Sequence, residues 1–262
     1  MRAELTLDLR SVVAPDTVAD RILDACQLAR ILHVRAHPVL GLRRDFWQDI
    51  VTRHGMQVAV DENALTGEPT GALWSDVEFD PEMAGVFRHS SSAQPLHTDG
   101  SYIGNPPEIV FLICHRAAAA GGATLFVDGI DLIEMLGREQ PGLLSELTRT
   151  PLRFAKGGCV VEAPCIARVA GQLSLRWNYF ALDRDLSNGQ RRMAERLQSV
   201  LLQLAAERRT RDVLMQAGDA VFFADAQVLH GRDAFRASQR GDRCLWKGGL
   251  AFQPASAMRA AQ

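Results

Sequence analysis

Hydrophobic and polar positions change rhythm several times along the chain. Glu4-Leu5-Thr6-Leu7-Asp8-Leu9 alternates with period two, which predicts a short strand. From Asp16, placed to cap a helix, Val18, Ile22, Cys26 and Ala29 recur at helical spacing and predict a helix to about Leu32. A second helix is expected from about Arg43 to His54, stopped by Gly55, and then a strand over Met56 to Val60. Residues 61–96 lose any period. Gly67, Pro69, Gly71, Pro81 and Gly85 punctuate them, so an irregular pocket wall or lid is expected, ordering over the site when substrate binds.

Strand signals dominate afterwards. Glu108 to Cys114 is a continuous apolar run, and Gly121-Gly122 turns the chain into a second run, Ala123 to Val127. Two short helices follow, about Ile130 to Arg138 and Gly142 to Thr148. Short strands are then expected at Arg153-Phe154, Cys159 to Glu162, Ile166 to Val169 and Gln172 to Trp177. A polar helix spans about Gln190 to Glu207. Strands at Asp212 to Met215, Ala220 to Phe223, Val228-Leu229 and Arg243 to Ala251 close the chain. Many short strands with interposed helices predict a mainly β fold with α elements (α+β). The expected core is a double-stranded β-helix, or jelly roll, with flanking helices. One domain over residues 1–262 is expected: an N-terminal helical part to about 60, the pocket segment 61–96, and a core over about 85–252. A parallel α/β sheet is the second reading, but strands and helices do not alternate regularly and no Gly-rich phosphate loop precedes a helix.

Charge narrows the partners. With 29 basic and 31 acidic residues the formal net charge is −2, which gives no electrostatic case for nucleic acid or an anionic membrane. No segment approaches a membrane span, and the first residues lack the apolar run of a signal peptide. The five cysteines are scattered and without a Cys-x-x-Cys pair, which fits small core residues in a reducing, cytoplasmic setting. A small-molecule substrate is the expected partner, and a homo-oligomer is compatible with the sequence.

The chemistry gathers around Pro95-Leu96-His97-Thr98-Asp99-Gly100-Ser101-Tyr102. His97 and Asp99, two apart on an extended segment, project from one side of it. Imidazole and carboxylate on one face supply two of the three ligands of a 2-His-1-carboxylate iron site. Such a pair is common by chance, so a later histidine decides the matter. His230 closes the apolar run Val228-Leu229 and is followed by Gly231, which puts an imidazole at a strand end. Thirteen residues on, Arg243 opens the last strand among Cys244, Leu245 and Trp246, where a guanidinium needs an anion. His33, His37 and His54 read as surface or capping residues, and His115 as structural.

His97-Thr98-Asp99 with Pro106-Pro107, Gly121-Gly122-Ala123-Thr124, His230-Gly231-Arg232 and Arg243 together resemble the Fe(II)/2-oxoglutarate dioxygenases related to taurine dioxygenase and clavaminate synthase. The resemblance covers about residues 85–252. It implies that His97, Asp99 and His230 bind Fe(II), and that Arg243 and Thr124 hold the distal carboxylate of the co-substrate 2-oxoglutarate. Arg236 and Arg240 are rivals for Arg243, as Asp225 and Asp233 are for Asp99. It further implies that O2 is consumed, that succinate and CO2 are released, and that an unactivated C–H bond of a small polar substrate is hydroxylated. The carboxylate of Asp99 favours hydroxylation over halogenation, which needs a small residue there.

The same cycle giving desaturation or ring formation is an alternative. A non-catalytic jelly-roll binding protein and a metal-dependent hydrolase fit less well, because neither explains Arg243 beside an intact ligand set. Substrate contacts are expected from Arg88, Ser91, Tyr102, Arg176 and Lys247, with Ser90, Ser92, Gln94, Asn105 and Asn178 as further pocket groups. This mixture suits a zwitterion such as an amino acid. Lys247 lies where a substrate anion can be held in the family. Ala93 replaces an Asn that taurine dioxygenase carries there, so taurine itself fits poorly.

Overall fold

The computed structural model describes residues 1–251; residue 252, the last of the expected core, lies outside them. In chain order the strands and α-helices begin with β1 (Arg2–Asp8), α1 (Pro15–Leu28), β2 (Ala29–Arg35), α2 (Arg44–His54), β3 (Met56–Val58), β4 (Trp74–Glu78) and β5 (Gln94–His97). Next come β6 (Ile109–Arg116), β7 (Thr124–Asp128), α3 (Gly129–Glu139), α4 (Pro141–Arg149), β8 (Pro151–Lys156) and β9 (Cys159–Pro164). The chain continues with β10 (Ile166–Val169), β11 (Gln172–Leu175), α5 (Asn188–Ala206), β12 (Arg211–Val213), β13 (Ala220–Phe223), β14 (Val228–Arg232) and β15 (Cys244–Ala251).

Two sheets carry the architecture, a mixed α/β arrangement. The larger has the order β1-β2-β13-β6-β15-β3, with β4 sharing the outer edge of β15 beside β3. The smaller has the order β12-β7-β14-β5 and is antiparallel throughout. Strand parity shows how they pack. Along β6, Ile109, Phe111 and Ile113 join the cluster under α1 and α2, whereas Val110, Leu112 and Cys114 join a second cluster. That second cluster also contains Phe223 of β13, Leu245 of β15, Phe126 of β7 and Val228 of β14, so it fills the space between the sheets. Phe126 and Phe223 meet edge-on across it, with ring centroids 5.2 Å apart. The outer face of the small sheet is covered by α3, α4, α5 and the β8–β9 and β10–β11 hairpins.

Two expectations are corrected. The first helix ends at Leu28, not near Leu32, and residues 29–35 form a strand inserted between β1 and β13. Ile31, Leu32 and Val34 are fully buried there, and β-branched side chains suit a pleat covered on both faces. Asp16 sits in the first turn of α1 and is not its cap; Ala14 holds that position, with Pro15 at the first turn. Residues 61–96 are also more regular than expected. They contain β4, two short 3-10 helices at Pro81–Met83 and Phe87–His89, and β5.

Candidate metal and anion site

The parity that packs the two sheets also aims the polar residues. On β15, Lys247 shares the face of Leu245, and Arg243, just before the strand, continues that face. On β14, His230 and Arg232 share the face of Val228, and on β7 Thr124 shares that of Phe126. His97 lies opposite His230 where β5 pairs with β14. All of these side chains except Val228 and Phe126 line one cavity of about 370 Å³ between the sheets.

His97, Asp99 and His230 each bring one ligand atom within 4.8 Å of the others. Nε2 of His97 is 3.7 Å from Asp99 Oδ1, and Nε2 of His230 is 3.6 Å from Asp99 Oδ2. The other ring nitrogens face acceptors. His97 Nδ1 donates to the Pro95 carbonyl at 2.9 Å, which makes Nε2 the acceptor nitrogen; it faces the cavity and takes a 3.3 Å hydrogen bond from the Gln94 side-chain amide that a metal would displace. His230 Nδ1 faces Asp225 Oδ1 at 3.7 Å. The Asp225 carboxylate in turn accepts the backbone amides of Asp99 and Gly100, at 2.9 and 2.8 Å. It therefore stands behind the ligand set, and Asp233 pairs with Arg208 instead.

Electrostatics favour the ligating forms of His230 and Asp99. Burial, with His97 alongside, pushes the His230 imidazole down to about 3, so it is neutral at physiological pH. Burial alone would raise the Asp99 carboxyl, but its neighbours, the Lys247 charge foremost, outweigh it and hold it well below the usual carboxylate range. Burial and the Asp99 charge push the Asp225 carboxyl up to about 6. Lys247 Nζ is 2.8 Å from Asp99 Oδ2, yet this oxygen is buried and accepts no hydrogen bond of ordinary geometry. The contact is ionic, and a carboxylate oxygen with two lone pairs keeps acceptor capacity beside it. Two imidazoles, that of His230 neutral, and a carboxylate with one buried oxygen suit a non-haem Fe(II) ion.

Arg243 is 3% exposed, and burial pushes its guanidinium down to about 10. It lies over the Phe235 ring at 5.1 Å and donates to the Gly122 carbonyl at 3.4 Å, with buried Thr124 on the same cavity wall. Gly122 must stay small: a Cβ there would come within 3.1 Å of Arg243 Nε, at a backbone φ of 78°. Asp242, a conceivable ion-pair partner, is engaged by the amides of Ser238 and Gln239. Of the rivals, Arg236 is exposed and Arg240 pairs with Glu78.

Among the expected substrate contacts, Arg88, Tyr102 and Lys247 line the cavity, as do Gln94 and Asn178. Arg88 donates to Asp61 Oδ1 and Ser75 Oγ. Ser91 and Arg176 are not among the lining residues, nor are Ser90, Ser92 and Asn105. Arg176 donates to the carbonyls of Gly100, Ser101 and Ile103, bracing the loop after Asp99 from outside the cavity. The Ser91 carbonyl accepts the Phe235 amide. Sequence reasoning missed Glu62 and Lys156, which also line the cavity. Glu62 accepts from Tyr102 Oη at 2.8 Å and pairs with Lys156. Of the remaining histidines, His33 contacts Asp219, His37 accepts the Val39 and Leu40 amides, and His115 stacks on Trp246; the side chain of His54 lies outside what is described.

Fold and site together define a two-sheet protein with a His-Asp-His cluster that could hold a metal ion and a buried arginine on the same cavity wall. A family profile described as "Taurine catabolism dioxygenase TauD, TfdA family" matches residues 1–247, and the chain belongs to that family. Curated relatives include the gamma-butyrobetaine dioxygenase of Pseudomonas sp. (strain AK-1), 33% identical over 159 residues, which are 57% of this chain and 41% of that protein. Mitochondrial trimethyllysine dioxygenase of Gallus gallus is 26% identical over 202 residues, 70% of this chain and 47% of that protein. The chain thus spans under half the length of these relatives. Among solved structures, an asparagine oxygenase in complex with Fe(II), hydroxyasparagine and succinate superposes with a TM-score of 0.66. It is 18% identical, covering 94% of this chain and 82% of that one.

Proposed function

We propose that this protein is an Fe(II)- and 2-oxoglutarate-dependent oxygenase that hydroxylates an unactivated C–H bond of a small polar substrate, an amino acid or related zwitterion. The observation that carries this reading is the placement of His97, Asp99, His230, Thr124 and Arg243 around one cavity between the sheets. In this reading the two facing sheets are a double-stranded β-helix, residues 61–96 are its lid and pocket wall, and the chain is one domain working in the cytoplasm. Among the described residues no helix is long and apolar enough to cross a membrane.

His97, Asp99 and His230 hold the metal, and Arg243 with Thr124 holds the distal carboxylate of 2-oxoglutarate; a guanidinium fork fits a carboxylate well. When bound, Fe(II) supplies the redox chemistry that couples 2-oxoglutarate decarboxylation, giving succinate and CO2, to oxidation of the substrate by O2. The chain positions the reactants. Lys247 fixes the Asp99 carboxylate, Arg88 and Gln94 shape the substrate wall, and Glu62 with Tyr102 and Lys156 closes the cavity and limits water. Relatives that act on trimethyllysine, butyrobetaine and asparagine favour a substrate with both a carboxylate and a nitrogen group. Screening amino acids and betaines for succinate release that depends on Fe(II) tests the reading. One compound should raise release well above the unstimulated rate, and no release under any condition would refute it.

A further inference from the structure

Arg232 and Arg243 are 4% and 3% exposed, and both guanidinium carbons lie over the Phe235 ring, at 5.0 and 5.1 Å. Among the described residues neither forms an ion pair with a carboxylate, so two like charges share one aromatic ring in a water-poor interior. A buried charge without a counter-ion is costly, and a pair of them more so. Both side chains line the cavity, and Thr124 stands directly opposite Arg232 where β7 pairs with β14. A single anionic group on this cavity wall would match both cations.

Arg232 also reaches the other way. Its Nη2 donates to the carbonyls of Phe87, Ser90 and Ser92, at 3.2, 2.8 and 2.7 Å, while its Nε is buried without a partner. One nitrogen with two hydrogens cannot serve three acceptors fully, so the wall at residues 87–92 hangs on an overcommitted donor. The rest of the guanidinium is underused. Phe87 and Arg88 of this wall, with the nearby Gln94, face the cavity.

We propose that Arg232 is the second arginine of the 2-oxoglutarate anchor, and that the arriving carboxylate fixes it and with it the wall at residues 87–92. Binding of the co-substrate then completes the substrate side of the cavity before substrate enters. The inference rests on the function proposed above, since 2-oxoglutarate is the carboxylate invoked. It adds a positioning residue that the sequence read only as part of the His230-Gly231-Arg232 motif.

The test is hydrogen exchange on anaerobic Fe(II)-loaded protein with and without 2-oxoglutarate, substrate absent, together with calorimetric titration of 2-oxoglutarate. In the native protein, 2-oxoglutarate alone should slow exchange over residues 87–92 by about tenfold or more, while residues 129–149 on the far side of the small sheet stay unchanged. Arg232→Lys keeps the charge but lacks the fork; it should lose that protection and bind 2-oxoglutarate on the order of tenfold more weakly. The native-protein comparison needs no variant, so it stands even if Arg232→Lys folds poorly. Saturable 2-oxoglutarate binding with unaltered exchange at 87–92, or native affinity in Arg232→Lys, would overturn the two-arginine anchor and leave the proposed function standing. No 2-oxoglutarate binding by the native protein would overturn both.

Discussion

Asp225 Oδ1 faces His230 Nδ1 at 3.7 Å while the same carboxylate accepts the backbone amides of Asp99 and Gly100. One buried side chain therefore stands behind two of the three candidate ligands: it hydrogen-bonds the backbone of Asp99, and it lies beside the His230 Nδ1, which has no other partner among the described residues. Groups that orient metal ligands usually matter by about 10- to 100-fold in metal affinity or activity. Asp225→Asn should lower Fe(II) affinity by that order without unfolding the protein, and competitive metal titration with a chromogenic chelator checks it. Native affinity would mean that Asp225 serves only the turn at residues 99–100.

Removal of a ligand should be more severe. His97→Ala and His230→Ala should each abolish stoichiometric Fe(II) binding and turnover while circular dichroism stays native, because the surrounding sheets are held by separate apolar clusters. Asp99→Gly should abolish hydroxylation. Persistence of hydroxylation in that variant would assign the carboxylate ligand to another residue, with Asp225 the nearest in place.

Arg243→Gln should raise the KM for 2-oxoglutarate by about 10- to 150-fold, the equivalent of a hydrogen bond to a charged group, roughly 1.5–3 kcal/mol. Fe(II) binding should change little. Arg236→Gln and Arg240→Gln should leave the KM nearly native, since the first is exposed and the second is paired with Glu78 at the surface. Steady-state kinetics on the three variants decides between them.

The fold has a separate dependence on Arg30 and Asp128, a buried ion pair with Nε and Oδ2 2.5 Å apart. Asp128 also caps α3 by accepting the Ile130 amide. Asp128→Ala leaves a buried guanidinium unpaired and removes the cap, so about 3–5 kcal/mol of stability should be lost. Urea unfolding followed by tryptophan fluorescence measures it.

Much of this was legible in the chain because it was local. Continuous apolar runs such as Ile109 to Cys114 are buried on both faces and announce themselves, and the four helices after α1 fall within a few residues of their expected bounds. β2 was not legible. Cys26 and Ala29 continue the spacing of α1 across the boundary, and only pairing with β1 and β13, distant in sequence, makes residues 29–35 extended. β4 was missed for a similar reason, since Trp74-Ser75-Asp76-Val77-Glu78 has little apolar signal and owes its form to β15. At the site, the motif residues could be picked out singly, but their supports could not. Nothing near Asp225 tells that it serves Asp99, 126 positions away, or near Glu62 that it serves Tyr102. Arg176 read as a substrate contact because its charge is visible in the sequence while the three carbonyls that occupy it are not.

Binding of 2-oxoglutarate beside a metal held by His97, Asp99 and His230 would have an optical signature. Anaerobic addition of 2-oxoglutarate to the Fe(II)-loaded protein should give the weak visible charge-transfer absorption that chelation of Fe(II) by a 2-oxo acid produces. The native protein should develop the band saturably, His230→Ala should not develop it at all, and Arg243→Gln should need far more 2-oxoglutarate to reach it. A native protein that binds Fe(II) yet shows neither the band nor any saturable uptake of 2-oxoglutarate would contradict the account.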